Sequence, residues 1–151
     1  MLHESALIGI AIRPPGKRDM LELQHVRITR EMGVEGDKRS RPGKRQVTLM
    51  SLSSWQQACA ELGVELHWTT RRANLLVDQL PLQEQVGAHI RIGDLVLEVT
   101  GETDPCKRME EASPGLLEAL KPDWRGGVTC RVIESGDINI GQTVIMSNNG
   151  S

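Results

Sequence analysis

Apolar and polar residues alternate along "SALIGIAI", residues 5–12, so that Ala6, Ile8, Ile10 and Ile12 fall on one side of an extended chain. Arg13-Pro-Pro-Gly16 then breaks the pattern, which predicts a strand followed by a turn. A second strand is expected over Leu21 to Thr29, and a third at Gln46 to Met50, after a glycine-punctuated stretch that starts at Met32. From Ser51 the period lengthens: Leu52, Trp55, Ala58, Cys59 and Leu62 recur at helical spacing, with serine available as a cap and Gly63 as a terminator. This predicts a helix over 52–62. Arg72 to Val77 reads as a short buried strand, and "HIRIGDLVLEVTG" has two apolar runs around Gly93-Asp94, a pair suited to a tight hairpin.

Further along, Ser113-Pro114 offers an N-cap and a proline at the first helical position, ahead of Leu116, Leu117 and Leu120, so a short helix should end near Pro122. "VTCRVIESGDINIGQTVIM" alternates through Val128, Cys130 and Val132, turns at Ser135-Gly136-Asp137 and resumes through Ile138 and Ile140, which reads as another strand pair. The spacing Ile-x-Ile-Gly-x-x-Val occurs at Ile90 and again at Ile138, which suggests one bend used twice. Seven or eight strands with two or three short helices predict an α+β fold, mainly β, built as a closed or partly open barrel that removes exposed strand edges. One domain over residues 1–146 is expected, with 147–151 as a disordered tail.

Composition sharpens this picture. A chain of 151 residues is long enough for one real core, and with no Phe or Tyr that core must come from Leu, Val and Ile. A net charge of −2 argues against a wholly basic nucleic-acid surface, and no DNA partner is expected. Three cysteines without a CxxC pair, no apolar leader and no long apolar run point to a reducing compartment, the cytoplasm, and to no membrane association.

Candidate chemistry gathers in three places. Cys59 and Cys130 lie on apolar faces and read as small core hydrophobes. Cys106, in "TDPCKRMEE", has no apolar periodicity to bury it and precedes Lys107 and Arg108, so a negative sulfur there would find cations beside it. Such a thiol suits nucleophilic work or a soft metal. In "KRSRPGKR", residues 38–45, five of eight residues are cationic; this is either a solvated loop or a phosphate grip. Arg71, Arg72 and Asn74 form the third group, and on a strand residues 72 and 74 would share a face and could hold one polar ligand. His3, His25, His67 and His89 have no metal-ligand spacing, and "GKR" does not complete a Walker loop because Arg45 stands where Ser or Thr is needed.

The succession "GVEGD", "RQVTL", "RRANLLV", "IRIGDLVLEVTGETDPC" and "RGGVTCRVIESGDINIGQTV" resembles the MOSC domain, the module named after the C-terminal part of molybdenum-cofactor sulfurase, from about Gly33 to Val144. The resemblance implies a β-barrel of the kind shared with the pyruvate-kinase barrel domain. It puts the family cysteine on Cys106, its Arg-x-Asn on Arg72 and Asn74, its Arg-Gln on Arg45 and Gln46, and its glycine-acid turn on Gly33, Gly36 and Asp37. Many relatives carry a histidine after that Asp, where this chain has Lys38-Arg39.

The function so implied is a domain that binds the molybdenum cofactor (molybdopterin), or carries sulfur as a cysteine persulfide, as part of a molybdenum-dependent system that reduces N-hydroxylated compounds. An enzymatic role as a sulfur transferase or oxidoreductase component is left open. Arg45, Arg72 and Lys44 would hold the phosphate, Arg125 would add charge, Gln46 and Asn74 would orient the pterin, and Gly126 and Gly127 would permit close backbone approach. Cys106 would ligate molybdenum or carry the sulfur.

The expected partners are a small-molecule substrate and a cysteine desulfurase or electron-donor protein, with pyridoxal phosphate confined to that partner. The larger reductases' N-terminal barrel domain and electron-supply segments, and the sulfurase's desulfurase domain, are not in the sequence, so those whole reactions are not expected of this chain alone. The competing reading is a non-catalytic module that uses Arg39, Arg41 and Arg45 to recognise a phosphorylated small molecule or an RNA end. A structural interaction domain with an inert thiol is the third.

Overall fold

In a computed structural model, which describes residues 1–148, the strands and helices follow in the order β1 (Leu2–Ile12), β2 (Leu21–Glu22), β3 (His25–Thr29), β4 (Gly33–Val34), β5 (Val47–Ser51), α1 (Leu52–Leu62), β6 (Leu75–Val77), β7 (His89–Ile92), β8 (Leu95–Glu102), α2 (Lys107–Ala112), α3 (Leu116–Leu120), β9 (Val128–Glu134), β10 (Gly136–Asn139) and β11 (Thr143–Ser147). Short 3₁₀ turns occupy Trp68–Arg71 and Pro122–Trp124. Seven strands form a ring in the order β1-β6-β5-β9-β8-β7-β11. The ring closes where Leu2 to Ala6 pair antiparallel with Ser147 to Thr143. All neighbours run antiparallel except β5 and β6, which α1 joins as a crossover and which are parallel. Beside the ring, β10, β3 and β4 make a small sheet of their own. The expected α+β, mainly β barrel is therefore present, in its closed form. Among the described residues, no helix is long and apolar enough to cross a membrane.

Alternation along the strands builds two cores. One face points into the ring: Val47 and Leu49 of β5, Leu75 and Val77 of β6, and Val128, Cys130 and Val132 of β9 join one buried cluster, with Val26, Ile28, Val34 and Ile138 from the small sheet. The opposite face, through Met50 and Leu76, packs on the helices, where Trp55, Ala58 and Cys59 of α1 meet Met109 of α2 and Leu116 and Leu120 of α3.

β1 crosses between these two faces by a register shift between Leu7 and Gly9. Leu7 therefore joins Ile10 and Ile12 inside the ring, while Ile8 turns out toward the helices. The unbroken alternation read from Ala6 to Ile12 fails at that bulge. Gly9 is there because the Trp68 ring lies where a side chain would go, its Cζ2 2.7 Å from a would-be Cβ.

The helix over 52–62 stands at its expected boundaries, ended by Gly63 at φ 66°. Ser51 does not cap it with its side chain; the hydroxyl meets Ser53 and the carbonyl of Asp78 instead. The hairpin at Gly93-Asp94 is also present, with Ile92 opposite Leu95.

Other boundaries moved. The expected strand over 21–29 is two strands, β2 on the end of β1 and β3 in the small sheet. Ser113-Pro114 does not start a helix: Ser113 closes α2, and α3 begins after Gly115. The segments after Val128 do not pair with each other, since β10 pairs with β3 while β11 pairs with β7 and β1. Hence the second Ile-x-Ile-Gly bend links two sheets, whereas the first is a hairpin. Ser147 closes β11, and Asn148 bonds His3 and Gln85; residues 149–151 of the expected tail lie outside the described residues.

Candidate functional site

A hollow of about 380 Å³ opens where the end of β1, the start of β5, the turn before β6 and the segment after β8 converge. That volume is in the range of small-molecule sites. Arg45 and Gln46 enter from ahead of β5, Arg71, Arg72 and Asn74 from ahead of β6, and Cys106 and Arg108 from the α2 segment. Four segments remote in sequence thus deliver one cationic cavity around one thiol.

Its frame is a buried polar network. Arg13, just past β1, donates to Asp37 at 2.8 Å, and both side chains are nearly sealed. A second Arg13 nitrogen donates to the carbonyl of Arg72. Asp37 also accepts from the Arg39 N–H and from the Asn74 amide. Asn74 donates to the carbonyl of Ala11 and accepts from the N–H and hydroxyl of Thr48, so its carboxamide is fully engaged. Ser40 accepts from Val34 N–H and donates to the carbonyl of Gln46, which closes the 34–46 loop over the cavity. With Asp37 committed to Arg13, Asp104 is the other carboxylate that lines the hollow.

The remaining arginines outnumber these carboxylates. Among the described residues, Arg39, Arg45, Arg71, Arg72 and Arg108 line the hollow without a single carboxylate partner. Arg71 is 6% exposed and donates only to the carbonyls of Gly126 and Thr103. Burial pulls its pKa down; attraction to Cys106 acts against that, Arg13 and Arg45 add to the lowering, and Asp104 opposes it. The Thr103 hydroxyl, on the cavity wall, is buried without a hydrogen-bond partner among the described residues. A cavity with orphaned donors and unmatched cations is complementary to an anionic, oxygen-rich ligand.

Cys106 is exposed and lies directly before α2. Its carbonyl accepts from Met109 N–H at 2.8 Å, and the Met109 side chain is buried in the helical core, which anchors the turn that places Cys106 on the cavity wall. On the barrel side, the N–H of Thr103 donates to the carbonyl of Gly127 at 2.9 Å and fixes where the β8 extension ends. Cys130, by contrast, is sealed in the ring core and Cys59 is packed under α1, as their periodicity predicts.

Of the residues singled out in the sequence, Cys106, Arg45, Gln46, Arg72 and Asn74 line the cavity, whereas Lys44 and Arg125 do not. Lys44 is exposed, and its backbone carbonyl accepts from Thr100. Arg125 is buried and forms a two-pronged pair with Glu61 at 2.8 and 3.0 Å, tying the Pro122–Trp124 turn to α1. Gln46 reaches the carbonyl of Arg30 and the N–H of Val132, so both ends of its amide brace the barrel. The strand expected over 72–77 starts only at Leu75. Arg72 ends the 3₁₀ turn in the left-handed region at φ 66°, so the shared face of residues 72 and 74 comes from a turn. Gly126 and Gly127 give close approach to protein, not to an open cavity: a Cβ on Gly127 would lie 2.4 Å from the carbonyl of Leu49. Arg13, which the sequence places in the turn after the first strand, joins the site as well; its position at the mouth of an alternating strand is the signal available for it.

The model of the MOSC domain matches residues 30–145. No curated protein matches the chain significantly. Among solved structures, the YuaD protein from Bacillus subtilis superposes with a TM-score of 0.81 at 19% identity, covering 98% of each chain. YiiM from Escherichia coli gives 0.75 at 16% identity, covering 99% of this chain and 72% of its own. YiiM from Geobacillus stearothermophilus gives 0.69 at 14% identity, over 97% and 74%. At these identities the likeness establishes the shared fold.

Proposed function

Because the chain belongs to the MOSC domain family, which is associated with molybdenum-cofactor-related function, we propose that its cavity binds the molybdenum cofactor, with Cys106 as the sulfur ligand and the pterin phosphate among Arg45, Arg71 and Arg72. The observation that carries this reading is one accessible thiol sharing a hollow with five guanidinium groups that form no ion pair among the described residues. The donor set fits the group. Thiolate is a soft ligand suited to molybdenum, and arginine forks suit phosphate oxygens. Gln46 and Asn74 act as braces that hold Arg45 and Arg72 at the cavity, because their own amides are engaged. Arg71, held by the carbonyls of Gly126 and Thr103, keeps a fixed positive charge in the cavity that Cys106 also lines. When bound, the cofactor supplies the redox chemistry that side chains cannot. Reduction of an N-hydroxylated compound would then draw its electrons from a separate donor protein.

The exposure of Cys106 supports a second use, as a sulfur carrier. In that use the Cys106 thiolate attacks the terminal sulfur of a persulfide on a cysteine desulfurase. A new S–S bond forms at Cys106, the donor's S–S bond breaks, and the donor cysteine leaves as thiolate with no net oxidation. Pyridoxal phosphate belongs to that donor.

Anaerobic purification followed by intact mass spectrometry and assays for molybdenum, pterin and sulfane sulfur separates the two uses. Metal and pterin that are lost in Cys106→Ser support cofactor binding, and an added sulfur lost in the same variant supports carriage. If wild type and Cys106→Ser are indistinguishable in all three assays, both uses of the thiol are wrong.

A further inference from the structure

The cationic cavity does not end at Arg72. A second hollow of about 670 Å³ adjoins it and shares Arg39, Arg72 and Arg108 as a common wall. Its far side adds Lys17, Arg18 and Lys38, against only Asp19 and Glu111. Six cations to two carboxylates leave a large surplus of positive charge, and among the described residues none of the eight is in an ion pair.

This trough is assembled, not a random run of surface lysines. The loop after β1 is folded back against the cations: Arg72 donates to the carbonyl of Arg18 at 2.9 Å, and Lys38 donates to the carbonyl of Lys17 at 3.2 Å. Arg72 does so from a left-handed backbone that non-glycine residues seldom adopt, fixed by Arg13 on its carbonyl. Burial, then Arg108, Arg13 and Arg39, push the Arg72 pKa down against the opposing effect of Asp37, which is the cost of gathering like charges around a partly buried guanidinium. An anion bound at the wall shared by the two hollows relieves that repulsion.

We infer that the trough is a second anion subsite, so that the site takes a ligand with two linked phosphates, one in the cysteine cavity and one against Lys17, Arg18 and Lys38. This extends the proposed function only in placing the first phosphate in the cysteine cavity; it needs neither the metal nor the thiol.

Calorimetric titration of the full chain with inorganic phosphate and with pyrophosphate at low salt tests it. Pyrophosphate is expected to bind about tenfold or more tightly than phosphate. The double substitution Lys17→Ala/Arg18→Ala should abolish that advantage while leaving phosphate affinity within about twofold. Arg91→Ala, which removes an exposed cation on β7 that lines neither hollow, controls for bulk charge. Equal affinity for the two anions overturns the inference, as does an equal loss in the Arg91→Ala control. Tighter, trough-dependent binding of a single-stranded RNA oligonucleotide than of pyrophosphate also overturns it, in favour of a polyanion groove. Because the readout is anion binding, its failure is distinct from any failure to find metal, pterin or sulfane sulfur.

Discussion

Three thiols of the same intrinsic chemistry sit in three different solvents. Cys130, wholly enclosed in the ring, is pushed up to about 12 by burial, and burial also raises Cys59 against the opposing effect of the Leu66 backbone. An unfolded Cys130 ionises near about 8.5, so from there to about 12 the unfolded chain holds fewer protons than the folded one. Stability from this group is complete below the lower value and falls as pH rises through the window, by at most about 1.4 kcal/mol per pH unit. Urea unfolding of wild type and Cys130→Ala from pH 8 upward should show that loss only in wild type; parallel curves would refute it. In the same folded protein, iodoacetamide should label Cys106 first and reach the other two only on unfolding. This sorting was legible in sequence because local periodicity decides which side of an element a thiol takes. The roles of Arg125 and Gln46 were not: their partners Glu61 and Val132 lie 64 and 86 residues away, and one-dimensional spacing carries no trace of a polar group satisfied at that separation.

At the scale of elements, legibility followed the same division. α1 announced both its ends, because a 3.6-residue stripe and a C-terminal glycine are local signals. The 3₁₀ turn at Trp68–Arg71 and the bulge in β1 did not, since each exists to serve a tertiary contact: the turn aims Arg71 and Arg72 into the cavity, and the bulge makes room for Trp68. Gly127 is the comparable point for β9. It lies at φ 97° with the Leu49 carbonyl in the place of its missing side chain, which lets β9 start flush against β5. Gly141 has nearly the same angle, φ 99°, with nothing within 4 Å. Alanine at Gly141 should therefore cost only the left-handed backbone, about 1–2 kcal/mol. Alanine at Gly127 must add a clash with a β5 carbonyl and cost several kcal/mol, roughly 3 or more. Equal shifts in the urea midpoint for the two variants would show that steric exclusion by β5 is not what glycine 127 serves.

The whole molecule depends on one long-range event, the meeting of its first and last strands. The alternation revealed seven or eight extended runs, enough for the seven-stranded ring though short of the eleven strands present, and the reason a barrel suits them, but not which strand closes on which, because alternation specifies a face and leaves the partner open. Closure matters physically: without Leu2–Ala6, β11 keeps only β7, and a row of unpaired N–H and C=O groups faces solvent. Deleting residues 1–6 leaves the rest of β1 on β6, with Leu7, Ile10 and Ile12 still in the core, so the chain should fold as an open sheet. Loss of five ladder pairs predicts a thermal midpoint lower by roughly 10 °C. The new edge predicts concentration-dependent association in sedimentation velocity, where the intact chain does not associate through this edge. The cationic cavity should persist in that variant, since its wall begins only at Arg13 and continues through β5, β6 and α2. Pyrophosphate binding retained in a destabilised, self-associating variant would separate the frame from the site it carries, whereas an unchanged midpoint with no association would show that the β1–β11 seam contributes nothing to holding the barrel.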